Sequence, residues 1–173
     1  MAATRTRPDR TADERAQLLG WFDLQRGIVR MKCEGLSDED AHRSLVPTSP
    51  LMTVAGIVSH LRWTEELWFR ECLLGEPGTG RGSGPQPAGV EDAEFLVDGI
   101  PLATLLAEYD EECARSDAAI AHHALDAPGS TALHPVGEAS LRWMLLHMLE
   151  ETARHAGHLD LLRELLDGEK GYF

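Results

Sequence analysis

The sequence predicts an all-α fold, a four-helix bundle, on three observations. Four long stretches repeat apolar residues at three- and four-residue spacings, as helices with one buried face require. No stretch alternates with the two-residue period of a half-buried strand, and little remains once the glycine- and proline-rich connectors are set aside. At 173 residues the chain suits one domain that buries a core without disulfide or metal staples. The expected division is a disordered tail over 1–10 and one helical bundle over 11–173.

The first helix is expected to open at Thr11, because Thr11-Ala-Asp-Glu14 has the form of a capping box. Leu18, Leu19, Phe22 and Val29 carry its apolar face to about Glu34, and Gly35 is the expected stop. Ser37-Asp-Glu-Asp40 can cap one short turn before the connector Pro47-Thr-Ser-Pro50. Pro50 suits the first turn of a second helix over about Leu51 to Leu74, faced by Val54, Ile57, Val58, Leu61, Leu67, Trp68 and Leu73, with His60 in its middle.

From Gly75 to Gly99 glycine and proline abound without a helical period, which reads as a long loop, either a connector or a lid. Its first half offers few apolar contacts, whereas Phe95, Leu96 and Val97 are expected to dock. A third helix over about Leu102 to His123 buries Leu102, Leu105, Leu106, Tyr109, Cys113 and Ile120. His122 and His123, at its end, read as solvated or as partners of the helix terminus. After a loop over Ala127 to Gly137 the fourth helix runs from about Glu138 to Asp167, and Gly168 stops it.

Composition narrows the function classes. With 29 acidic against 16 basic side chains the formal charge is −13, a field that repels phosphate backbones and anionic membranes. Nucleic acid and membrane are therefore not expected partners. Three scattered cysteines, Cys33, Cys72 and Cys113, form no CxxC pair and suggest neither a disulfide framework nor a cysteine-type zinc site. With no bilayer-spanning apolar run and no signal-like segment, a cytoplasmic location is expected.

The fourth helix carries His147, Glu151, His155 and His158 at spacings of four, four and three residues, within an arc of roughly 80°. Met144, Leu145, Met148, Leu159, Leu162 and Leu166 flank that stripe. Imidazoles and a carboxylate beside a buried face need partners. A divalent metal would satisfy them, and so would partial exposure with hydrogen bonds to Asp or Glu. On facing helices of a bundle, His60 could join Glu151 and His155. Three protein ligands with an open fourth position are the arrangement of a catalytic zinc, although imidazole and carboxylate also suit nickel, iron or manganese.

These residues carry a resemblance to the DinB-like, or YfiT-like, superfamily of four-helix metalloproteins. The matching segments are Gly56-Ile-Val-Ser-His60-Leu with Glu65 and Trp68-Phe69, then Leu141-Arg-Trp, His147 to Glu151, Ala153-Arg-His-Ala-Gly-His158, Asp160 and Leu162-Arg-Glu164. Within it the chain looks particularly like an actinobacterial branch of unknown function, the mini-circle-protein-like proteins. The resemblance implies an up-down-down-up bundle, commonly a homodimer, with His60, Glu151 and His155 as metal ligands. Many members have His at the position of Glu151, and this Glu variant resembles the metal set of mycothiol-dependent maleylpyruvate isomerase.

Superfamily members that use bacillithiol or mycothiol imply a small-thiol chemistry here, with zinc the first candidate metal and mycothiol a candidate cosubstrate. His158 and His147 are then candidate proton carriers beside the metal, with ordinary hydrogen bonding as the alternative for each. The expected function is a metal-dependent thiol transferase or isomerase acting on a small thiol and an electrophile. The alternatives are a metal-dependent hydrolase and a non-catalytic metal-binding or dimerisation bundle.

Overall fold

The computed structural model describes residues 6–83, 92–134 and 138–171. All regular structure among them is helical, apart from a single antiparallel bridge between Pro128 and Ser140. The expected tail falls partly outside the described residues, at 1–5, and 6–10 carry no helix. No helix among the described residues is long and apolar enough to cross a membrane.

Five α-helices follow one another: α1 (Glu14–Cys33), α2 (Asp38–Ala41), α3 (Val54–Glu65), α4 (Leu102–Ala121) and α5 (Leu141–Asp167). A π-helical segment, Glu66–Leu74, continues α3, and a single 3₁₀ turn occupies Ala93–Phe95. The chain divides into two compact units, one of Met1–Val54 with Leu145–Phe173 and the other of Ala55–Met144.

In the first unit α1 begins later than its capping box suggests. Asp13 is the N-cap, its carboxylate accepting from the Ala16 N–H at 2.8 Å, while Thr11 donates instead to Asp9. Asp caps as well as Thr and places Glu14 in the first turn, where the helix dipole favours it. Gly35 ends the helix with φ of 76°, and Ser37 caps α2 through the Asp40 N–H.

Alongside α1 runs the greater part of α5, and polar contacts join the two near the C-terminal end of α1. Lys32, almost fully buried, pairs with Asp160 at 2.7 Å. Arg163 donates to the carbonyls of Lys32 and Glu34 at 2.8 and 2.9 Å and holds Asp167 with its other nitrogen. Carbonyls at a helix C-terminus lack helical donors, so one guanidinium satisfies what the end of α1 leaves open.

In the second unit the helix expected over Leu51 to Leu74 is shorter and changes pitch. Its α part starts at Val54, and from Glu66 the turns widen to π geometry until Gly75, at φ of 72°. A Cβ at Gly75 would strike Ser130, whose N–H donates to the Cys72 carbonyl at 2.7 Å. The segment packs against α4, which buries Leu102, Leu105, Tyr109, Cys113 and Ile120. The fourth long helix opens at Leu141, three residues later than expected, because Ser140 is held in the bridge to Pro128.

The glycine-rich segment after Gly75 is tied down in a way its composition conceals. Glu66, buried on the π-helix, accepts from the Thr79 and Gly80 N–H groups at 2.6 and 2.9 Å, from the Ser83 hydroxyl and from Arg62. Arg62 in turn donates to the Arg81 carbonyl. Residues 84–91 of the expected loop lie outside the described residues.

Candidate metal centre

His60 lies in the second unit and is held from two directions by the end of the long loop. Its Nδ1 is 3.3 Å from Oε1 of Glu94, and its ring stacks on Phe95 with centroids 4.4 Å apart and planes inclined by 16°. The Ser59 hydroxyl fixes the same turn by donating to the Glu94 carbonyl at 2.6 Å. A carboxylate only accepts, so this contact places the imidazole proton on Nδ1 and leaves Nε2 with its lone pair. A ligating histidine commonly has this arrangement, one nitrogen steadied by a carboxylate and the other available. Phe95 docks as expected, as does Val97, which is buried, whereas Leu96 between them is exposed.

Glu151 and His155 belong to the first unit, one turn apart on α5. Oε1 of Glu151 lies 3.2 Å from Nε2 of His155, and both side chains are nearly buried. Two ligands about 2.0 Å from a tetrahedral ion sit roughly 3.3 Å from each other, so the pair already has the spacing of one edge of such a site. Their donor chemistry, a carboxylate oxygen and an imidazole nitrogen, fits a divalent cation of borderline hardness. The second Glu151 oxygen faces Arg154 at 3.5 Å, and Arg154 also pairs with Glu150.

His158 completes this cluster. Its Nδ1 lies 3.4 Å from Nδ1 of His155, with the rings edge to face. If His155 uses Nε2 for a metal, its remaining N–H is on Nδ1 and donates to His158. Burial, then the charges of His155 and Arg154, hold the His158 ring below the ordinary imidazole range, with Glu151 opposing. The ring therefore favours the neutral form that can accept. His158 also lines a cavity of about 340 Å³ with Val46, Met52, Leu161, Leu162 and Leu165. His147 is one turn before Glu151 on α5 and half-buried.

The remaining sequence candidates fall elsewhere. His123 caps its own helix, with Nδ1 2.8 Å from the Ala119 carbonyl, and His122 is exposed. His134 pairs with Glu71 at 3.2 Å. All three cysteines are buried. Burial pushes the Cys33 thiol up to about 12 and the Cys72 thiol up to about 11, while Cys113 faces the Glu65 carboxylate at 3.6 Å. None has the electropositive, accessible setting of a nucleophilic thiol. Glu94 was missed in the sequence because it lies in an aperiodic loop, where only the neighbouring Phe95 signalled docking.

A family model described as mycothiol-S-transferase matches residues 17–168. No curated protein and no solved structure matches the chain.

Proposed function

The chain belongs to the mycothiol-S-transferase family, and from that premise we propose that it is an enzyme that transfers a small thiol to an electrophile with a divalent metal. Mycothiol is the first candidate thiol and zinc the first candidate metal, with nickel, iron and manganese compatible with the same donors. His60, Glu151 and His155 would hold the ion. A divalent cation there supplies the positive charge that favours a thiolate near neutral pH.

The observation that carries this reading is the 3.2 Å spacing of Glu151 Oε1 and His155 Nε2, a pair of ligand atoms poised one turn apart on a nearly buried face. The protein's own residues then have separate tasks. Glu94 and Phe95 fix the His60 ring, and His158 orients His155 through the Nδ1 contact. His158, which lines the cavity, would carry a thiol proton toward it, with His147 the alternative carrier. The apolar wall of that cavity suits the body of an electrophile and keeps water from the reacting atoms. The buried cysteines support a nucleophile that arrives with the substrate.

Metal-loaded protein incubated with mycothiol-type thiols and electrophiles, beside His60→Ala and Glu151→Ala variants, tests the proposal. Thiol transfer in the wild type alone is the expected result, and iodoacetamide pretreatment should leave it intact. Metal-dependent turnover of water without thiols would replace the reading with a hydrolase. Variants that lose thermal stability but no activity of any kind would make the metal a structural clip.

A further inference from the structure

We propose that the cavity between the π-helical segment and α4 is a second binding site, for a small uncharged molecule that is mostly apolar and carries one hydroxyl. The cavity measures about 410 Å³, within the range of small-molecule sites, and Phe69, Leu74, Ala118 and Ala119 form its apolar wall. It lies wholly within the unit Ala55–Met144, and none of the proposed metal ligands lines it.

Three independent features point to a ligand of this chemistry. Ser116, 2% exposed, is among the residues that line the cavity, and its buried hydroxyl has no hydrogen-bond partner among the described residues. A helical serine ordinarily returns its proton to a carbonyl one turn back, and a buried hydroxyl left unpaired costs about 1–3 kcal/mol. The facing wall is π-helical, a geometry found mostly as short insertions and often at functional sites, and its wide turns carry Phe69, Arg70 and Leu74 to the cavity.

The charges around the opening are already committed to one another. Arg115 pairs with Glu112 and Glu111, while Arg70 donates to the Pro77 carbonyl at 2.9 Å and faces Glu76 at 3.7 Å. Two arginines and two glutamates among the lining residues balance, so the site has no excess charge to attract an ion. Burial raises the Glu112 carboxyl against the pull of Arg115, and a further anion beside it would be repelled. A neutral molecule meets neither obstacle, and its hydroxyl can pair with Ser116 once that side chain rotates toward the cavity.

Protein-observed NMR titration with para-propylphenol tests the site, and propylbenzene and para-propylbenzoate serve as comparison ligands. Shifts should concentrate at the amides of Phe69, Ser116 and Ala119, with the phenol binding more tightly than the benzoate. Ser116→Ala should weaken the phenol by about 2- to 10-fold, the loss of one hydrogen bond, and leave propylbenzene unchanged. Ala119→Phe should abolish binding of both by filling the cavity. His60→Ala should bind the phenol as the wild type does, whether or not the proposed metal chemistry holds. No saturable binding, tighter binding of the benzoate, or equal affinity of the Ser116→Ala protein for the phenol would overturn the proposal.

Discussion

Nδ1 of His60 is 3.3 Å from the Glu94 carboxylate, a contact that spans 34 residues of sequence and ties the end of the long loop to the middle of α3. The partner that orients a ligating histidine sets both its tautomer and its basicity. Glu94→Gln should therefore lower metal affinity by about 10- to 100-fold while thermal stability changes little. Competition with a chromophoric chelator measures it. Unchanged affinity would show that Phe95 stacking alone positions the ring.

Glu66 should make the protein acid-sensitive. Burial works to raise its pKa, but hydrogen bonds from Ser83, the Thr79 N–H, Arg62 and the Gly80 N–H together bring it down to about 2 from an ordinary 4.5. A depressed folded-state value gives stability that is complete above the ordinary value and is lost as pH falls through the folded one. The wild type should thus lose on the order of 3 kcal/mol between about pH 5 and pH 2 through this group. Glu66→Gln should flatten that part of the profile. Urea unfolding at a series of pH values supplies the comparison.

The same carboxylate makes a local prediction for the glycine-rich segment. Thr79 and Gly80 amides donate to a buried group, so their hydrogen exchange should be slower than that of exposed loop amides and should accelerate in Glu66→Gln. Equal exchange in the two proteins would count against a fixed segment.

The extents of α1, α2, α4 and α5 were legible to within a few residues, because apolar periodicity and the glycines at 35 and 168 mark them locally. Where the sequence misled, either a neighbouring residue or a tertiary partner had decided. Thr11 had an acceptable capping pattern but Asp13 had a better one, and nothing local in Glu66–Leu74 separates π from α geometry. The polar stripe on α5 was visible because helical spacing alone brings Glu151, His155 and His158 together. Glu94 and Glu66 were invisible as anchors, since each acts across a loop of no fixed period.

Arg163 should be worth more than an ordinary surface arginine. It is nearly buried, closes the end of α1 through two carbonyls and holds Asp167 at the end of its own helix. Charged hydrogen bonds of this kind contribute roughly 1.5–3 kcal/mol. Arg163→Ala should lower unfolding free energy by about 3 kcal/mol, and Arg163→Lys should recover only part of it because one ammonium cannot span the same acceptors. Denaturant midpoints decide between these values.

A homodimer is the oligomer we propose, and α5 offers it an apolar surface. Trp143 and Leu146, one turn apart on that helix, are each 49% exposed. The formal charge of −13 opposes association of two copies at low ionic strength, and screening shortens that repulsion to roughly 8 Å at physiological salt. Sedimentation velocity at micromolar protein should therefore show a dimer whose population grows with salt. Leu146→Glu, which adds a charge to the exposed face without touching the core, should shift it to monomer. A wild type that stays monomeric in moderate salt would remove the dimer, and a Leu146→Glu protein that dimerises normally would move the interface off this face.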